Sequence, residues 1–152
     1  MTDPSQDAFE AFPRQRLALK WSRRQLLAAL STERRVVSAQ RRGGTAYKLP
    51  DLGTLPDDLL ELLTPVVVAG SRIVEDQGAF WGTPGAGGPR VRLFSAASVA
   101  ASALAHFDGS APLGVIAARL AGQTGWDPYR SFAYTRGLFL HLVSWGFCLP
   151  KP

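Results

Sequence analysis

The chain has 152 residues, 46% of them hydrophobic and 19% charged, with 17 Lys or Arg against 12 acids and a single cysteine. That length suits one domain, alone or with an appendage, and a chain of this size buries about 68–70% of its unfolded surface without metal or disulfide staples. The balance excludes a fully disordered chain, Cys148 alone excludes an intrachain disulfide and a cysteine-rich metal site, and no window reaches the ~18 apolar residues of a membrane-spanning helix.

The formal charge of +5 is concentrated at one end. Residues 1–48 hold ten Lys or Arg and four acids, a surplus of +6, whereas the rest hold seven bases and eight acids, or −1. A basic arm on a near-neutral body fits docking on an acidic partner, a nucleic acid or an anionic surface. Within it, residues 1–13 lack periodicity, contain Pro4 and Pro13, and read as a loose terminus. From Arg14 to about Gln40 the pattern turns helical, with Leu17, Leu19, Trp21, Leu26, Leu27 and Leu30 apolar and arginines on the other face. Ser22 and Gln25 have capping-box spacing, and Gly43-Gly44 stops the helix. Tyr47–Thr54 reads as an extended connector. Thr54 then caps a short helix that has Pro56 and two acids in its first turn and runs toward Pro65.

After Pro65 the texture changes. Val66–Val68 are β-branched, and Arg72–Glu75 and Ala79–Trp81 flank Asp76-Gln77-Gly78 as a hairpin would. Thr83–Pro89 is a loop, and Val91–Phe94 alternates like a strand, which makes three short antiparallel strands. Helices follow from Ser95 to Phe107, from Leu113 to about Gly122, and from Asp127-Pro128 to Gly146, the last with Phe132, Leu138, Phe139, Leu142 and Val143 inward. Phe147–Leu149 fits a terminal strand. The expected fold class is α+β, with a helical basic extension over residues 1–64 and a domain over 65–152.

Five segments succeed one another in a telling order: Val91-Arg92-Leu93-Phe94-Ser95, His106-Phe107-Asp108-Gly109, the run Val115–Leu120, Trp126-Asp127-Pro128, and Leu142–Phe147. Together, over roughly residues 65–149, they resemble PqqD-like proteins, also called RiPP recognition elements. The resemblance implies a winged helix-turn-helix domain that binds the leader segment of a precursor peptide and is not itself an enzyme. In that mode a peptide adds to an open sheet edge through main-chain hydrogen bonds while its side chains enter a groove. The edge here would be Val91, Arg92, Leu93 and Phe94. The groove wall would be the third helix, 128–145, which offers Tyr129, Phe132, Tyr134, Arg136, Phe139 and His141, of types enriched at binding hot spots. Phe132 and Phe139 fit a core equally well, whereas Tyr134 and Arg136 have polar tips. The resemblance also implies a larger maturation enzyme as partner, radical-SAM or otherwise, and the arm, through Arg23, Arg24, Arg34 and Arg35, would dock it. A cytoplasmic location is expected, with no cofactor and no metal.

Other signals are weaker. Ser22–Leu27 resembles a twin-arginine export motif, but Ser31–Arg35 breaks the apolar run that export needs. The glycine-rich loop at 83–89 leads into a strand, not the helix start of a phosphate cradle. His141 and Ser144, one helical turn apart, or Cys148, would be needed for nucleophilic catalysis, yet a structural histidine is the commoner outcome. Asp57-Asp58 and Glu75-Asp76 stand where a helix start and a turn favour acids, and Cys148 reads as a small hydrophobe. Two alternatives remain: a winged-helix DNA-binding regulator, against which the near-neutral body counts, and an accessory subunit whose arm wraps a larger enzyme.

Overall fold

Positive backbone angles at Gln77 (φ 51°) and Gly78 (φ 77°) close a two-residue hairpin turn of the kind that matches strand twist. In the computed structural model, which describes residues 8–20, 49–68, 71–83 and 90–151, this turn joins strands β2 (Arg72–Asp76) and β3 (Ala79–Thr83). Strand β4 (Val91–Ser95) completes an antiparallel sheet of order β2-β3-β4, so β4 forms an edge among the described residues. A second antiparallel pair joins β1 (Pro65–Val67) to β5 (Cys148–Pro150), with Val66 opposite Leu149. The helices are α1 (Asp57–Leu60), α2 (Val99–Leu104), α3 (Leu113–Thr124) and α4 (Pro128–Ser144). The fold is thus α+β, and no helix among the described residues is long and apolar enough to cross a membrane.

Several boundaries follow from local chemistry. Asp127 caps α4 by accepting the Tyr129 N–H at 2.8 Å, with Pro128 in the first turn as expected. Helix α3 runs past Gly122 and ends at Gly125, which takes the left-handed conformation at φ 75°. Helix α2 starts later than Ser95 because Ser95–Ser98 forms a turn, in which the Ser98 hydroxyl donates to the Ser95 carbonyl at 2.7 Å. Buried Ser131 ties α4 to α3 by donating to the Ala117 carbonyl at 2.6 Å.

Four expectations for the first 64 residues need correcting. Leu49–Thr54 is a 3-10 turn rather than an extended connector. Thr54 does not cap α1; its hydroxyl donates to the Asp51 carbonyl, Pro56 occupies the cap position, and the helix stops at Leu60. Residues 14–20 are not helical, and the remainder of the helix expected up to Gln40 lies outside the described residues. The supposed loose terminus contains a 3-10 turn, Phe9–Ala11, with Phe9 only 4% exposed.

The core gathers Leu93, Phe94, Phe107, Ile116, Leu138 and Phe147, and Phe9, Leu17 and Leu52 belong to the same cluster. Two of its contacts require the absence of a side chain. A Cβ at Gly82 on β3 would come within 2.6 Å of the Phe147 ring, and one at Gly53 would collide with the Gln15 carbonyl.

Candidate functional site

Helix α4 presents two different faces, and the difference follows from helical spacing. Tyr134, Gly137 and His141 recur at three- and four-residue intervals on one face; Tyr129, Phe132 and Arg136 do so on another.

The first face bounds a trough whose opposite wall is β4, and the start of the 8–20 segment, with Phe9 and Phe12, lies in it. The Phe9 ring meets Phe94 of β4 edge-on at 6.4 Å, Tyr134 of α4 edge-on at 5.5 Å, and His141 at 5.3 Å. Edge-on ring pairs of this kind add about 0.5–1.5 kcal/mol each beyond area burial. Phe12 meets His141 edge-on at 6.3 Å. Gly137 admits the segment: a Cβ there would collide with the Phe9 carbonyl and crowd the Phe12 side chain. Farther along, the Leu17 N–H donates to the Pro50 carbonyl at 2.8 Å and the Lys20 N–H to the Ser144 carbonyl at 2.7 Å. Beside the segment remains a cavity of about 510 Å³, lined by Phe9 and Phe12, Arg92 and Leu93 of β4, and His141 and Trp145.

Charge brackets the apolar trough. Glu10 lies 3.7 Å from Arg130, whose guanidinium stacks on Trp126 at 3.9 Å, and Trp126 meets Tyr134 edge-on. Lys20 Nζ rests over the Trp145 ring at 4.3 Å. His141 Nε2 is buried without a hydrogen-bond partner among the described residues. Burial first, and then the Lys20 charge, push its pKa down to about 4, so the imidazole is neutral at pH 7.

The second face is closed by ion pairs. Arg136 donates to both oxygens of Asp57 on α1, at 2.8 and 3.1 Å, and Arg14 of the segment donates to the same carboxylate and to the Leu55 carbonyl. A shallow cavity of about 320 Å³ between α1, α3 and α4 is lined by Glu61, Gly114, Ala118, Tyr129 and Phe132.

The residues expected to line one peptide groove therefore divide. Tyr134 faces the trough and is nearly buried; Tyr129, at 89% exposure, and half-buried Phe132 line the second cavity; Arg136 is buried against Asp57. On β4, successive side chains point to opposite faces, and Leu93 and Phe94 are both buried, so the strand is covered on both sides. Val91 and Arg92 are half-buried. Phe139 is core. Arg23, Arg24, Arg34 and Arg35 lie outside the described residues. The sequence reading missed Phe9, Phe12, Gly137 and Trp145 at this site. The available signal was Gly137 itself, an isolated glycine inside a helical pattern, which often marks close packing.

The groups weighed for catalysis do not form a nucleophile–base pair. The Ser144 hydroxyl donates to the His141 carbonyl at 2.6 Å, not to the imidazole, and burial holds the Cys148 thiol far above its ordinary pKa. No family model, curated protein or solved structure matches this chain.

Proposed function

We propose that the chain is a non-catalytic, cytoplasmic accessory protein. In this reading residues 65–149 form a PqqD-like winged helix that captures an extended peptide in the trough between β4 and α4 and presents it to a larger maturation enzyme. The observation that carries the reading is the trough's occupant: an irregular stretch of polypeptide, with one aromatic ring set among Phe94, Tyr134 and His141 and its backbone pressed against Gly137. A surface that accommodates one such stretch has the chemistry to accommodate another: ring-lined walls for side chains, a helix stripped of a Cβ for the backbone, and an edge strand alongside. The order of β2-β3-β4 followed by α2, α3 and α4 supports the winged-helix assignment. The +6 surplus over residues 1–48 supports a docking role for the arm.

A peptide-display selection against the full chain, followed by amide chemical-shift mapping, tests the reading. Selected peptides are expected to move the signals of Val91–Ser95 and of residues 134–145. A selection that returns no binder, or binders that move only other surfaces, would remove it. Duplex DNA titrated in parallel tests the regulator alternative, which predicts binding that weakens steeply with salt.

A further inference from the structure

The occupant of the trough carries information about what the trough selects. We propose that residues 8–20 are a tethered stand-in for the ligand. On this view the site recognises peptides with two aromatic side chains three residues apart, an acid directly after the first, and a base two residues after the second. The inference rests on the peptide-capture reading and specifies its ligand and its control.

Each element of the pattern has a reader. Phe9 fills the ring pocket of Phe94, Tyr134 and His141 and is almost wholly buried. Glu10 faces Arg130, which Trp126 holds by stacking. Phe12 packs edge-on against the His141 ring. Pro13 favours an extended exit from the 3-10 turn, and Arg14 reaches Asp57, the carboxylate that Arg136 also holds. Each reader belongs to the body of the molecule rather than to the segment. Arg130, Gly137, His141 and Asp57 would offer the same contacts to an incoming chain of the same pattern.

Occupancy in cis also sets a threshold. A tethered segment competes as an intramolecular ligand, and an external ligand sees only the fraction of molecules whose trough is open. Weakening the tethered copy should therefore strengthen binding in trans. A merely structural strap predicts the opposite, since its loss would expose core without creating a receptor.

The test uses a fluorescent peptide of sequence Ala8–Lys20 and the full chain, read by polarisation. The Phe9→Ala chain is expected to bind the peptide at least about tenfold more tightly than wild type, because its own segment no longer holds the pocket. Adding Gly137→Ala should abolish that gain by blocking the backbone path, and a peptide with both phenylalanines changed to alanine should not bind. Equal affinity for wild type and Phe9→Ala, or no binding to either, would overturn the proposal. Should Phe9→Ala fail to fold, amide exchange on the wild-type chain decides instead. The Leu17 and Lys20 amides must exchange by local opening, faster than the α4 amides; exchange only by global unfolding overturns the proposal. The two readings fail separately. Display ligands that occupy the trough without the aromatic–acid–x–aromatic pattern sink this inference and leave peptide capture standing. An empty selection, with the Ala8–Lys20 peptide still bound by Phe9→Ala, sinks capture of foreign peptides and leaves the tethered segment as a self-ligand.

Discussion

The two faces of α4 present the same helix in two chemistries. Toward the trough it offers rings, a neutral histidine and a glycine, and it takes up polypeptide backbone at close range. Toward α1 and α3 it offers Arg136 and a shared carboxylate, and what holds the neighbours there is charge pairing together with one buried hydroxyl. Recognition by shape needs a missing side chain and rigid walls, whereas the paired face needs only partners of opposite sign near solvent. The first face should be sensitive to single atoms and the second tolerant.

The largest expected effect breaks the first face. Phe9→Ala removes a buried ring and should lower stability by about 3 kcal/mol, at the low end for core phenylalanine because the segment can detach; thermal melts measure it. Gly137→Ala should produce a loss of similar kind even though alanine favours a helix by about 1 kcal/mol over glycine. The distinguishing mark is that amide protection disappears at Leu17 and Lys20 while α4 keeps its own.

Acid sharpens the comparison next. His141 titrates near 4 in the folded chain and near 6.5 once exposed, so between those values the exposed state binds the extra proton. The His141 contribution is therefore fully present above about pH 6.5 and declines as pH falls toward 4, by up to about 3 kcal/mol. His141→Phe should flatten that part of the melting-temperature profile between pH 7 and 4.5; a profile identical to wild type would contradict the assignment.

Smaller effects belong to the second face. Ser131→Ala removes a buried hydrogen bond to the Ala117 carbonyl, which keeps its place in the helix, and should cost about 1 kcal/mol by denaturant titration. Asp57→Asn weakens two ion pairs at a half-exposed carboxylate and should cost less than about 1 kcal/mol, more at low salt than at high. Were Asp57→Asn to destabilise as much as Phe9→Ala, the contrast between the faces would fail.

Elements governed by neighbours in sequence were legible in advance. Asp127-Pro128 announces α4, Gln77-Gly78 announces the hairpin, and the apolar Phe147–Leu149 stretch announces β5. The opening segment was not, because its order comes from outside it. Nothing periodic marks residues 8–13, and the helical spacing from Arg14 on points to the wrong structure; Phe9 and Leu17 pass where Gly137 and Gly53, some 130 and 40 positions away, lack a Cβ. Thr54 misled for a related reason: a residue type good at capping found a nearer carbonyl, that of Asp51. The candidate peptide contacts were of suitable types, but treating α4 as one wall ignored that positions 129, 132 and 136 point away from positions 134, 137 and 141.

The close seat of Phe147 on Gly82 has its own consequence. Because the ring fills the space where a side chain would stand, the hairpin has a single position at which the tail can rest. Sliding β3 by one step in either direction would bring Trp81 or Thr83 onto the ring. The C-terminal strand therefore works as a gauge that rejects misaligned pairings of β3, linking the alignment of the sheet to the docking of residues almost seventy positions later.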